Sequence, residues 1–230
     1  MARPSLLLLF DIDGTLVRGR PLTHQRAMEE AAAAVFGLRI EPGDTPIADV
    51  QPWGKTDRQI LRDVLAQAGL PPPDEDSLAR WERAACEAYE RLEVGDGKAE
   101  HAATAEVLGR LRDAGHMLAL LTGNLEPIAR RKLSLRGLGD YFPRGQGAFG
   151  SDADLRPELV PMARARAGDA PPEETILIGD TPLDVAAARA DGVRAGAIPG
   201  HRFSAEVLRE AGATATVDDL AELEAVLAAL

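Results

Sequence analysis

Two aspartates stand two residues apart in Phe10-Asp11-Ile12-Asp13-Gly14-Thr15, directly after the apolar run Leu6-Leu7-Leu8-Leu9-Phe10. An apolar run of this length, opened by a proline and closed by a glycine-containing turn, predicts a buried strand. In open α/β sheets, ligands gather beyond the carboxyl ends of the strands. Two acids at such an end repel each other and lose solvation, so they need a cation or a hydrogen-bonding role. Mg²⁺ suits that need, because it takes oxygen from one or two carboxylates and completes its octahedron with water and substrate phosphate. The plain alternative is a strand ending in a turn, where Asp and Gly are common for backbone reasons.

Three further segments keep company with this pair. Leu118-Ala119-Leu120-Leu121-Thr122-Gly123-Asn124 reads as a strand followed by a hydroxyl residue. Thr175-Ile176-Leu177-Ile178-Gly179-Asp180-Thr181-Pro182-Leu183-Asp184 is a second apolar run that ends on acids, and Arg156-Pro157 lies between the two. Asp-x-Asp-Gly-Thr after an N-terminal strand resembles the first motif of the haloacid dehalogenase-like (HAD) superfamily. The other segments resemble its later motifs in the same order, across residues 6 to 184. One departure stands out: the family's third-motif Lys is replaced by Arg156, which keeps the charge but presents a wider, bidentate fork. The chain is similar to phosphoglycolate-phosphatase-like members that carry an inserted helical cap of the C1 type.

The resemblance implies Mg²⁺-dependent phosphoryl transfer. Asp11 would be the nucleophile and form an aspartyl-phosphate, a known role for carboxylates. Asp13 would protonate the leaving oxygen and then accept a proton from water, and its carbonyl would also ligate Mg²⁺. Gly14 lets the chain turn close to the phosphate, and Thr15 is expected to cap the next element of the chain. Thr122, with the amides of Gly123 and Asn124, would bind the phosphoryl oxygens, with Arg156 as the catalytic cation. Asp180 and Asp184 would hold the metal beside Asp11 and Asp13, and their spacing of four suits one face of a helix. Lys132, a rival cation, falls inside a predicted helix and reads as a solvated side chain. Family dehalogenases lack a carboxylate at the position of Asp13, so its presence argues for phosphate chemistry. The Gly54-Lys55-Thr56-Asp57-Arg58 loop resembles the cap loop of the same members, which makes Gly54, Lys55, Thr56 and Arg58 candidates for substrate specificity. Lys55 is also the cap lysine a phosphonatase would need, a reading that its setting disfavours.

Periodicity supplies the elements that must position these groups. Residues 22–38, 57–69 and 77–92 show helical spacing, with Gly37 and Gly69 as stops and Pro71-Pro72-Pro73 as a rigid linker. From about residue 100, helices alternate with apolar strands, which implies a parallel, doubly wound sheet. The expected fold is therefore α/β: a Rossmann-like core of residues 1–17 and 97–230 with an α-helical cap inserted over 18–96. Gly145-Gln146-Gly147-Ala148-Phe149-Gly150 matches a dinucleotide fingerprint in letters alone. It lacks the preceding strand and following helix such a loop requires, and reads as a short strand and a turn.

Bulk composition narrows the partners. Among 230 residues, 37 acidic side chains oppose 26 basic ones, a net charge of −11 with no basic stripe, so nucleic-acid binding is not expected. The N-terminal apolar run is too short to span a membrane and no cleavage pattern follows it. No membrane association is expected, and a cytoplasmic, monomeric or homodimeric enzyme acting on a small phosphate ester is. Cys86 is the single cysteine and reads as a packing residue, while His24, His101, His116 and His201 read as incidental. Two alternatives share these motifs: a sugar phosphomutase of the β-phosphoglucomutase type, and a non-catalytic phosphate- or protein-binding module.

Overall fold

A computed structural model describes residues 5–18, 22–41, 43–93 and 101–229. Its centre is a five-stranded sheet of β1 (Leu7–Phe10), β2 (Met117–Leu120), β3 (Thr175–Gly179), β4 (Arg194–Ala197) and β5 (Ala215–Thr216). The spatial order is β2-β1-β3-β4-β5 and every pairing is parallel. The near-continuous apolar strands follow from this, because both faces of a parallel sheet are covered. Leu8, Phe10, Leu118, Leu120, Ile176 and Ile178 enter one apolar cluster, and Leu7, Leu9, Ala119 and Leu177 enter another. On the first face lie α5 (Ala102–Asp113), α6 (Glu126–Leu135) and α10 (Leu223–Ala229); on the second lie α7 (Arg156–Arg166), α8 (Pro182–Ala190) and α9 (Ala205–Glu210).

Between β1 and α5 the described residues form four α-helices and no strand: α1 (Leu22–Phe36), α2 (Pro46–Asp49), α3 (Asp57–Gln67) and α4 (Glu75–Leu92). They surround a third cluster that includes Met28, Ile60, Leu61, Leu65, Trp81 and Tyr89. Leu125 and Ile128 at the start of α6 belong to the same cluster, so the helical unit packs onto the sheet domain through α6. The boundary expected at residues 96 and 97 falls outside the described residues. Helix and strand positions otherwise follow the periodicity closely. Some details differ: α2 and the 3₁₀ turns at Gly139–Tyr141 and Pro172–Glu174 were not expected, and the last predicted helix opens with a 3₁₀ turn at Leu220–Glu222. Thr15 caps nothing, since residues 12–17 form turns around the carbonyl of Ile12 and its hydroxyl has no hydrogen-bond partner. No helix among the described residues is long and apolar enough to cross a membrane.

The register decides where the chemistry sits. Phe10 pairs with Leu120 on one side and Ile178 on the other, so all three strands end at one level. Beyond that level the Asp11 amide donates to the Ile178 carbonyl at 2.9 Å, and the Leu121 amide to Phe10 at 2.8 Å. Connections leave β1 toward β2 on one edge and return to β3 on the other. That reversal is the crevice where open α/β sheets hold ligands.

Candidate active site

Asp11 is buried where β1 ends, and its Oδ1 accepts from Arg156 Nη2 at 2.7 Å. Arg156 is the first residue of α7, followed by Pro157, whose fixed φ suits a first turn. The same Nη2 lies 2.5 Å from Asp184 Oδ1, a close ion pair without hydrogen-bond alignment, and donates to the Leu121 carbonyl at 3.3 Å. Nη1 reaches the Gly54 carbonyl in the helical unit at 3.2 Å. Arg156 therefore ties the ends of β1 and β2 and the first turn of α8 to the loop before α3.

Asp184 is 1% exposed and splits its carboxylate between two tasks. Oδ2 accepts from the Thr181 amide at 3.0 Å and the Thr181 hydroxyl at 2.7 Å, closing a capping box on α8, while Oδ1 faces Arg156. Asp180 precedes the N-cap Thr181 and is not helical, so the spacing of four does not act through a helix face. The turn between β3 and α8 folds the two acids together instead. Gly14 permits this approach: it sits at φ +94°, and a Cβ there would fall 2.0 Å from Asp180 Oδ2.

Asp11, Asp180 and Asp184 each offer an oxygen, and these oxygens lie within 4.8 Å of one another. Three carboxylates against one guanidinium leave a local excess of two negative charges. Burial pushes the Asp11 carboxyl up to about 6 despite Arg156, with Asp184 adding to the rise. Burial also pushes Asp180 up to about 8, reinforced by Asp11 and Asp184. The same acids hold the buried Arg156 firmly in its charged form against its own desolvation. Asp180 Oδ1 is buried without a protein partner. An all-oxygen donor set with an unbonded buried oxygen and surplus negative charge fits a hard divalent cation such as Mg²⁺.

Asp13 lies across the crevice in a second charge group that the sequence reading missed. Its Oδ2 accepts from Lys132 Nζ at 2.5 Å and from Asn124 Nδ2 at 3.0 Å. Burial raises the Asp13 carboxyl, but the Lys132 ammonium and the hydrogen bonds from Lys132 and Asn124 outweigh it, leaving Asp13 below the ordinary carboxylate range. Lys132 is 3% exposed, which corrects its reading as a solvated helical side chain. It also donates to Asn124 Oδ1 at 2.6 Å and meets His24 Nδ1 at 3.2 Å. His24, read as incidental, is buried in α1 and faces Asp57 Oδ2 through Nε2 at 2.9 Å. The signal was present in the sequence: Lys132 continues the buried stripe Leu125, Ile128, Ala129 of α6 instead of leaving it.

The loop after β2 is shaped by this company. Thr122 is fully buried, its amide donates to Ala148 at 3.1 Å, and its hydroxyl accepts the Asn124 amide at 3.3 Å. Gly123 gives its carbonyl to the Asp57 amide at 2.7 Å. The glycine-rich segment is no dinucleotide loop. Ala148 makes one parallel bridge to Leu121, and Gly150 approaches the Gly123 carbonyl so closely that a Cβ would lie 1.8 Å from it.

In the loop before α3, Thr56 caps that helix by accepting from Gln59 and donates its hydroxyl to the Asp154 carbonyl at 2.5 Å. Gly54 meets Arg156 through its carbonyl. Lys55 turns to Asp63 at 2.8 Å and to the Val50 carbonyl, and Arg58 pairs with Glu82 at 2.6 Å. Trp53 carries the Arg202 guanidinium 3.4 Å above its ring, while the neighbouring His201 is exposed. Cys86 is half-buried against the third cluster, with its thiol pushed up to about 12 by burial.

A family model described as haloacid dehalogenase-like hydrolase matches residues 6–192. A phosphoglycolate phosphatase of Cupriavidus necator is 30% identical over 97% of this chain and 94% of its own length. The protein PpaX of Caldanaerobacter subterraneus is 31% identical over 51% of this chain, and the match spans 54% of that protein. Among solved structures, CbbY from Rhodobacter sphaeroides, in complex with phosphate, superposes with a TM-score of 0.68 at 22% identity, covering 96% of each chain.

Proposed function

The chain belongs to the haloacid dehalogenase-like hydrolase family and is a phosphatase, and from that premise we propose that it hydrolyses a small phosphate monoester of the phosphoglycolate type. In this reading it uses Mg²⁺ and an aspartyl-phosphate on Asp11. The observation that carries the reading is the convergence of Asp11, Asp180 and Asp184 beside Arg156 at the carboxyl end of β1. Residues 1–17 and 97–230 form its catalytic core and 18–96 its cap.

With Asp11 Oδ1 held by Arg156, Oδ2 attacks phosphorus as the ester P–O bond breaks. The departing oxygen takes its proton from Asp13, whose carboxylate accepts hydrogen bonds from Lys132 and Asn124. Arrival of a phosphate dianion beside Asp13 opposes the pull of Lys132 and favours the protonated form this step needs. Asp13 then takes a proton from water as that water attacks phosphorus, the Oδ2–P bond breaks and inorganic phosphate leaves. In this reading Thr122, with the amides of Gly123 and Asn124, binds the phosphoryl oxygens, and Arg156 offsets charge there. Asp11, Asp180 and Asp184, with the Asp13 carbonyl, would hold Mg²⁺, which when bound supplies charge neutralisation of the phosphoryl group. In this reading the loop of Gly54, Lys55, Thr56 and Arg58 bears on substrate choice: Gly54 meets Arg156 and Thr56 meets Asp154, while Lys55 and Arg58 pair with Asp63 and Glu82 within the helical unit.

The test is a panel of phosphate esters assayed with Mg²⁺ for released phosphate, wild type beside Asp11→Asn. Release that requires both Asp11 and Mg²⁺, strongest on small alkyl phosphates, is expected. Full turnover in EDTA, or isomerisation of a sugar phosphate primed by a bisphosphate without net release, would overturn the proposal.

A further inference from the structure

The phosphatase reading assigns Arg156 to the nucleophile and the metal acids, and leaves a second buried cation without a task. Lys132 Nζ has three N–H donors and no acceptor. All three are taken, by Asp13 Oδ2, Asn124 Oδ1 and His24 Nδ1. Because an ammonium only donates, His24 Nδ1 must accept, so the imidazole carries its proton on Nε2 and donates it to Asp57 Oδ2. Asp57 Oδ2 is fixed in turn by the Leu125 amide at 2.8 Å. The orientation of every member is thereby determined, from the start of α3 through α1 and α6 to the loop after β1.

Such an arrangement has a cost that packing does not explain. A lysine on the buried stripe of α6 gives up hydration and rotamer freedom, where an apolar residue of similar volume would serve the core as well or better. What the ammonium achieves is visible at its tip. Asp13 sits on a turn and its side chain is 24% exposed, so without Lys132 it would keep only the Asn124 contact against competing water.

We propose that Lys132 is a positioning residue for leaving-group protonation: its ammonium fixes the Asp13 carboxylate, and His24 with Asp57 fixes the ammonium. This rests on the reading of Asp13 as the acid that serves the departing oxygen. Asp13 reaches that oxygen; Lys132 acts only through Asp13.

Leaving groups separate this role from a structural one. An alkoxide needs the proton as it departs, whereas p-nitrophenolate leaves without one. The quantity to compare is kcat/KM, which covers events only up to departure of the alcohol or phenol. For Lys132→Met, kcat/KM on phosphoglycolate should fall by about 100-fold and on p-nitrophenyl phosphate by less than about 5-fold. Asp13→Asn should show the same selectivity, and adding Lys132→Met to it should cost less than about 3-fold more, because the two act as one unit. His24→Leu should reproduce the selective loss in milder form. His24→Asn, which restores an acceptor near Nδ1, should recover most of it, and this pair decides the matter if Lys132→Met does not fold. Equal losses on both substrates, or additive losses in the double variant, overturn the inference while the phosphatase reading stands. If Asp11→Asn keeps wild-type turnover, the phosphatase reading itself fails and this inference goes with it.

Discussion

Replacing Arg156 with Met removes the one cation among the described residues that touches both Asp11 and Asp184. The guanidinium is 3% exposed, so solvent does little to screen the acids in its absence. Breaking a buried pair by deleting one partner costs about 3–5 kcal/mol. For a chain of this size that corresponds to a fall in Tm of about 6–20 °C. Acidity should soften the loss. Asp11 at about 6 and Asp180 at about 8 are raised above the unfolded value of 3.8, so the folded state binds more protons than the unfolded one between those limits. Stability of the metal-free protein therefore rises as pH falls through that window, and is lowest above pH 8. Arg156→Met should steepen this trend, since the carboxyls then have only protons to neutralise them. The assay is thermal unfolding followed by circular dichroism in EDTA, wild type beside Arg156→Met, at pH 8.5 and 5.5. A variant that melts within about 2 °C of wild type at pH 8.5 would refute this charge balance, because even 1 kcal/mol should exceed that shift.

Mg²⁺ at a hundredfold excess over its dissociation constant should stabilise the wild type by about 2.7 kcal/mol, reversed by EDTA. No rise in Tm would mean that the three acids do not take the ion. Gly14→Ala puts a Cβ 2.0 Å from Asp180 Oδ2 at a φ that L-residues disfavour, so the Mg²⁺-dependent rise should vanish while far-UV circular dichroism is retained. An unchanged response would place Asp180 outside the metal set. Asp57→Ala strips the acceptor from both the His24 ring and the buried Leu125 amide, at about 1–3 kcal/mol for each group left unpaired. Asp57→Asn, which keeps an acceptor, should lose less than half as much in urea unfolding; equal losses would contradict this account.

Strands and helices were legible because each carries its own period. β1, β2 and β3 announce themselves as apolar runs, and the acids at their ends mark the crevice. Asp11, Asp180, Asp184 and Arg156 could be gathered in advance because each stands at the boundary of an element, and the parallel register brings those boundaries to one level. Lys132 was hidden for the opposite reason, because it lies inside α6, while His24 and Asp57 stand in the first turns of α1 and α3, away from any strand end. Asp57 heads the stripe Ile60, Leu61, Val64, His24 heads Ala27, Met28, Ala31, and Lys132 closes Leu125, Ile128, Ala129. A polar residue in phase with a buried stripe has to find a partner. That much could be read from spacing, but which partner could not, since His24 and Lys132 are 108 residues apart.

The His24–Asp57 pair has a consequence for heredity and for engineering. It belongs to the inserted helices, yet it completes the coordination of an ammonium that belongs to the sheet domain. The two parts are thus not interchangeable cassettes. A foreign helical insert that lacks these two residues would confront Lys132 with an unmatched socket, however well its outer surface suited a new substrate. Recombination between relatives should succeed where breakpoints keep His24, Asp57 and Lys132 of common descent, and chimaeras made otherwise should need a compensating change at Lys132 before any change at the substrate loop can be felt.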